Sequence, residues 1–208
     1  VGSEMCIRDS NSSFLISKTK SPQIYHKSKL VVGVENMPYK NILEPLLGNT
    51  LLDFGGTVST RATQNKREVF EMDNGIKVAP IICYESIYGE YVTEYVRNGA
   101  QFLAIITNDG WWDESQGYRQ HLSYAKIRSI ETRRSIARSA NTGSSAIINK
   151  KGEILNKLEY NTKGIINGKI HLSDELTFYV KYGDFIYRFS LFFFFIILLF
   201  SFTKKKKY

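Results

Sequence analysis

Cysteine and histidine are scarce in this chain, and no long run of one charge sign occurs before its end. The two cysteines, Cys6 and Cys83, stand far apart among 208 residues. That excludes a disulfide-stapled scaffold. The three histidines, His26, His121 and His171, make no cluster with Cys or Asp at metal-ligand spacing, so neither a metal nor another cofactor is expected. Each histidine reads as a surface or structural residue. No basic stretch is interleaved with aromatics. The net charge of +8 includes four lysines at 204–207, and a short basic tail is not a nucleic-acid footprint. Nucleic acid is therefore not expected among the partners. No internal repeat or low-complexity linker interrupts the chain, and its length suits one sizeable domain.

What is present begins with Cys83. Residues 78–82, Val-Ala-Pro-Ile-Ile, form an apolar run that leads into the thiol, and Tyr84 and Glu85 follow it. Next, Tyr88, Tyr91, Val92, Tyr95 and Val96 fall at i, i+3, i+4, i+7 and i+8, the stripe of an amphipathic helix. Gly99 then sits where a helix C′ residue is expected. Cys83 is thus predicted on a strand-to-helix turn, where free N–H groups and the helix dipole favour an anion. Residues 1–10 lack periodicity and lack the apolar stretch of a signal peptide. They read as a non-native leader, which leaves Cys83 as the native thiol.

The rest of the chain reads as alternating strands and helices, hence an α/β layer architecture. Strands are predicted at 14–16, 23–26, 68–72, 77–83, 102–107 and 135–139, with a hairpin over 145–155. A turn is predicted at 73–75. A second helix is predicted over 118–133, with Leu122, Ala125, Ser129 and Ile130 facing inward. Residues 36–52 read as loop with a short helix, and 55–60 as loop or edge strand. Near the end, residues 189–202 are almost wholly apolar. Adding 185–188, with Arg188 snorkelling, gives a helix of about 27 Å, enough to span a bilayer with slight thinning. The lysines that follow read as a stop-transfer signal, which by the positive-inside rule places residues 204–208 in the cytoplasm.

A thiol on such a turn needs an activating partner. Nothing papain-like or caspase-like surrounds Cys83, so a lysine is preferred over a histidine. A nearby ammonium favours a thiolate and donates to a developing oxyanion. Trp111-Trp112 follow a loop signal and could touch lipid or pack in the core.

Several segments, in order, resemble the nitrilase (carbon–nitrogen hydrolase) superfamily. They are Tyr25-His26-Lys27-Ser28-Lys29-Leu30-Val31, then Glu35, then Ile82-Cys83-Tyr84-Glu85. Thr107-Asn108-Asp109-Gly110-Trp111-Trp112 and Arg138-Ser139-Ala140-Asn141-Thr142-Gly143 complete the set. Within it, the Tyr-x-Lys-x-x-Leu-Val pattern with a Glu eight positions after the lysine, and Cys-Tyr-Glu, are similar to the apolipoprotein N-acyltransferase family. So are Gln120-His121-Leu122, Arg128-Ser129-Ile130-Glu131-Thr132-Arg133, Thr177-Phe178-Tyr179 and Gly183-Asp184.

The resemblance implies a partial αββα nitrilase-like sandwich over 11–182, followed by a transmembrane helix over 185–203. It implies a bacterial inner-membrane location with the catalytic domain in the periplasm. It implies Cys83 as the nucleophile and Lys27 as the triad lysine. Glu35, Tyr84 and Glu85 would support them, the two acids orienting Lys27 and the Tyr84 N–H serving as an oxyanion donor. The implied reaction moves an acyl chain from a phospholipid, through a cysteine thioester, to the α-amine of a diacylglyceryl-cysteine lipoprotein.

The sequence departs from the family pattern in three places. The triad glutamate should precede Lys27 by several dozen residues, and only Glu4 and Asp9 precede it. The long amino-terminal bundle of membrane helices has no counterpart. Gly33-Val34-Glu35 stands where Pro-Phe-Gly-Glu is expected. The chain is therefore expected to be a carboxy-terminal fragment, inactive by itself. Two other readings are an amidase or nitrilase acting on a carbon–nitrogen bond and a non-catalytic, membrane-tethered module.

Overall fold

The computed structural model describes residues 10–32, 35 and 62–203. The expectations for the leader over 1–9, for 36–52, for 55–60 and for the basic tail at 204–208 lie outside the described residues.

The β-branched and aliphatic runs form the strands. β1 (Ser12–Leu15) and β2 (Gln23–His26) pair antiparallel as a two-stranded ribbon. The main sheet has six strands in the order β3 (Phe70–Glu71), β4 (Lys77–Ile82), β5 (Phe102–Thr107), β6 (Ile136–Ala140), β7 (Ser145–Ile148) and β8 (Ile154–Leu158). Strands β4, β5 and β6 run parallel and the outer pairs run antiparallel. Pro80 fits in β4 because β3 pairs only as far as Val78, so the missing N–H breaks no ladder bond on that side.

Parallel strands need crossovers, and two helices supply them. α1 (Gly89–Arg97) joins β4 to β5 and α2 (Gln116–Thr132) joins β5 to β6. α1 stops where Gly99 takes a left-handed conformation at φ +96°, which costs a glycine little. Val92, Tyr95, Val96, Leu122 and Ala125 from the helices are buried with Ile81, Leu103, Ile105, Ile136 and Ile148 from the sheet. The opposite sheet face carries Ala104, Ile106, Ala137 and Ile147, and Ile106 is half exposed.

Most element bounds agree with the sequence reading to within a residue or two. The predicted strand over 68–72 shrinks to Phe70–Glu71. The inward stripe of α2 needs correction. Ile130 is 44% exposed and lies over the β7–β8 turn at Gly152. The buried face instead carries Tyr118, His121, Leu122, Ala125, Arg128, Ser129 and Thr132. Much of this face is polar because it covers a polar site rather than plain core. Beyond β8, a short helix α3 (Phe178–Tyr182) leads into α4 (Phe185–Thr203). α4 has 19 residues with a mean hydropathy of 2.2 and none of it is buried, so it is long and apolar enough to cross a membrane.

Candidate active site

The carboxyl ends of parallel strands are where α/β sheets usually build sites, and Cys83 stands there, directly after β4. It opens a 3₁₀ turn over Cys83–Ile87 and has φ +49°. For a residue with a Cβ this left-handed conformation costs of order 1–3 kcal/mol and persists only where its surroundings enforce it. The thiol is free and half-buried. Its carbonyl accepts the Ser86 hydroxyl at 2.8 Å, and His121 Nε2 lies 3.2 Å from the same oxygen.

Lys27 follows β2 directly and is 2% exposed. Its ammonium donates to Glu35 Oε2 at 2.7 Å. The same carboxylate accepts the Val31 N–H at 2.9 Å and the Asn11 side-chain amide. The Lys27 N–H donates to the Asn11 carbonyl at 2.7 Å. Lys27 and Glu35 thus form a buried ion pair, and the Glu35 carboxylate takes two further donors. Removing one partner of such a pair typically costs about 3–5 kcal/mol.

Glu85 is fully buried. It accepts the Tyr25 hydroxyl at 2.7 Å, the Ser28 N–H at 2.7 Å, the Tyr91 hydroxyl at 2.8 Å and the Ile82 N–H at 2.9 Å. Burial first, and then the Glu85 charge, push the Tyr25 phenol up to about 12. The same two causes, in the same order, raise Tyr91 and Tyr95. Among the described residues, Lys27 donates to Glu35 and not to Glu85. Glu85 instead holds the main chain on both sides of the site: Ile82 beside the thiol and Ser28 beside the lysine. Tyr84 is half-buried, with its ring edge-on to Tyr88 at 5.5 Å. Its N–H lies in the first turn after β4, where amides lack an intrahelical acceptor.

A second buried network reaches the Cys83 carbonyl. Asp109, just past β5, is fully buried and pairs with Arg138 of β6 at 2.6 Å. It also accepts the Thr107 hydroxyl at 2.9 Å and faces His121 Nδ1 at 2.8 Å. Burial alone would raise the Asp109 carboxyl. The His121 hydrogen bond and the Arg138 charge outweigh it and hold the group below its usual range. Gly143 lies so close to this carboxylate that an added Cβ would overlap it. Trp112 stacks edge-on to His121 at 5.3 Å, while Trp111 is 67% exposed.

The apolar helix is tied to the same end of the domain. Arg188 in the first turns of α4 pairs with Glu90 of α1 and donates to the Tyr182 carbonyl at 2.7 Å. Tyr179 donates to Asp184 at 2.7 Å. Among the described residues, no group of three His, Cys, Asp or Glu is placed to hold a metal ion.

This arrangement of a strained thiol turn and a buried Lys–Glu pair lies within a sequence that matches the carbon-nitrogen hydrolase profile over residues 5–175. The chain belongs to the carbon-nitrogen hydrolase family. Among solved structures, it is similar to a carbon-nitrogen hydrolase from Helicobacter pylori G27, with a TM-score of 0.53 at 16% identity. That match covers 74% of this chain and 54% of the other, and it shows a nitrilase-type fold. Among curated proteins, it is 35% identical over 181 residues to the apolipoprotein N-acyltransferase of Chlorobaculum tepidum, which is 85% of this chain and 34% of that protein. It is 32% identical over 197 residues to the enzyme of the same name from Wigglesworthia glossinidia brevipalpis, or 95% of this chain and 38% of that one. The chain thus spans about a third of the length of these relatives.

For this carbon-nitrogen hydrolase member, the sequence reading singled out Cys83, Lys27, Glu35, Tyr84 and Glu85. The structure brings Glu35 onto Lys27 and places Glu85 between the segments that carry Lys27 and Cys83. The sequence reading missed the ring of phenols around Glu85 and the Asp109–His121–Ser86 chain. Tyr91 and Tyr95 had read as members of an apolar stripe. Three tyrosines at such positions, each with a hydroxyl that needs a partner when buried, were the available signal for an acid nearby. His121 is buried and bonded at the thiol turn.

Proposed function

We propose that this chain carries the thiol and lysine of a phospholipid-dependent apolipoprotein N-acyltransferase. The observation that carries the reading is the similarity to the two curated acyltransferases, which takes in 85% and 95% of the chain. An apolar helix pinned beside the site supports it, since both proposed substrates are lipids.

In the first half-reaction the Cys83 sulfur attacks a phospholipid ester carbonyl. A C–S bond forms, the C–O bond breaks, and the lysophospholipid leaves as an alcohol with the thiol's proton. In the second, the α-amine of a diacylglyceryl-cysteine lipoprotein attacks the thioester. A C–N bond forms, the C–S bond breaks, and the amine proton returns to sulfur. The Lys27 ammonium supplies charge for the oxyanion of each tetrahedral intermediate. Glu35 orients that ammonium, and the Tyr84 N–H is a second oxyanion donor. The thioester holds the acyl group between visits, so the two lipids need not bind together. The domain faces the periplasm, and α4 anchors it in the inner membrane with the carboxyl end in the cytoplasm.

The test is a chimera in which this chain replaces the matched third of the Chlorobaculum tepidum enzyme, incubated with acyl-labelled phospholipid vesicles. The expected result is a hydroxylamine-sensitive label on Cys83 that Cys83→Ser abolishes. A folded chimera without label, or label that survives Cys83→Ser, would overturn the reading. Ammonia release from simple amides would move it to a carbon–nitrogen hydrolase.

A further inference from the structure

We infer that His121 is a positioning residue for the nucleophile, acting through Ser86 and the Cys83 carbonyl to hold the thiol turn in its left-handed conformation. The inference rests on the reading of Cys83 as nucleophile and adds to it a group that never touches substrate.

The argument starts from strain. A cysteine at φ +49° relaxes to an ordinary conformation unless something holds it. Its side chain is half-buried, and the hydrogen bonds around the turn run to the main chain. The N–H side is covered by Glu85, which accepts the neighbouring Ile82 N–H at 2.9 Å. The carbonyl side is covered by a closed triangle. Ser86 Oγ lies 2.8 Å from the Cys83 oxygen and 2.9 Å from His121 Nε2, and Nε2 lies 3.2 Å from that oxygen.

The triangle is rigid because its far corner is anchored. His121 Nδ1 faces Asp109 at 2.8 Å, and Asp109 is clamped by Arg138 and by Thr107. All of these side chains are buried, so water does not compete for the contacts. The anchors stand on or directly beside β5, β6 and α2, regular elements of the kind that hold a geometry to a fraction of an ångström. The turn of the nucleophile is thus tied to the sheet by side chains and not only by the strand that precedes it.

The experiment uses the 208-residue chain in detergent and reads the alkylation rate of Cys83 by iodoacetamide against pH, followed by peptide mass to separate Cys6. No acyl donor is involved, so the outcome is independent of acyl transfer. Ser86→Ala and His121→Ala are expected to lower the rate by roughly tenfold, because small misplacements of a reacting atom carry large rate costs. His121→Gln, which returns an amide near the Nε2 position, is expected to recover part of it. Ala125→Gly, a buried change on the same helix outside the network, is the control for general loosening and should keep the wild-type profile. If His121→Ala does not fold, Ser86→Ala carries the test. Rates within about twofold of wild type in the folded variants would overturn the inference, as would an equal loss in Ala125→Gly.

Discussion

A single carboxylate, Glu85, organises more of this site than any other side chain. It takes donors from β2, from the segment after Lys27, from the end of β4 and from α1. In low dielectric each such contact to a charge is strengthened, and each missing partner is expensive. Tyr25→Phe keeps the ring and deletes one phenol donor. It is expected to cost about 1.5–3 kcal/mol in urea unfolding, the range for hydrogen bonds to charged groups. A loss well under that would mean that Tyr91 and the backbone donors satisfy the carboxylate alone. Glu35 differs. It bonds the Lys27 ammonium itself, so its loss would act on the charge proposed to face the reaction as well as on stability.

Among the elements, α4 stands apart because it contributes nothing to the core. Its 19 residues rise about 28 Å at 1.5 Å each, close to the hydrocarbon thickness of a bilayer. Ending the chain at residue 184 is expected to move it from the vesicle pellet to the supernatant in a sedimentation assay, with the circular dichroism of the domain otherwise kept. Retention on vesicles would show that another surface binds lipid. α4, β2 and β5 were legible in the sequence to the residue, because a run of apolar or β-branched residues bounded by turn residues leaves one solution. The inner face of α2 was not. Ile130 fitted the helical period, but His121, Arg128 and Thr132 outcompete it for burial because their partners, Asp109, the Ile87 carbonyl and the helix's own backbone, wait on the inside. Periodicity reads apolar spacing and is blind to a polar face that is satisfied within the fold. The Lys27–Glu35 pair was legible through the family resemblance. The Cys83 carbonyl contacts were not, since main-chain acceptors carry no sequence signal.

For the whole molecule, the buried Asp109 carboxylate contributes to the response to pH. The Asp109 carboxyl sits below its usual value in the folded state and near 3.9 in the unfolded chain. The stability it contributes is therefore complete above about pH 4 to 5 and is lost as pH falls through the lower folded value. Urea midpoints are expected to fall steeply on that acid side, and Asp109→Asn should flatten the slope there while lowering stability at neutral pH. An unchanged acid slope would remove Asp109 from the account. The tie between Arg188 and Glu90 has a consequence of another kind. α1 begins two residues after the turn that carries the thiol, and α4 is fastened to it by its second turn. If α4 spans the bilayer, this pair and the bonds that hold α3 to α1 and α2 together set the height of the thiol above the lipid surface, a depth gauge that decides which atoms of a lipid come within reach.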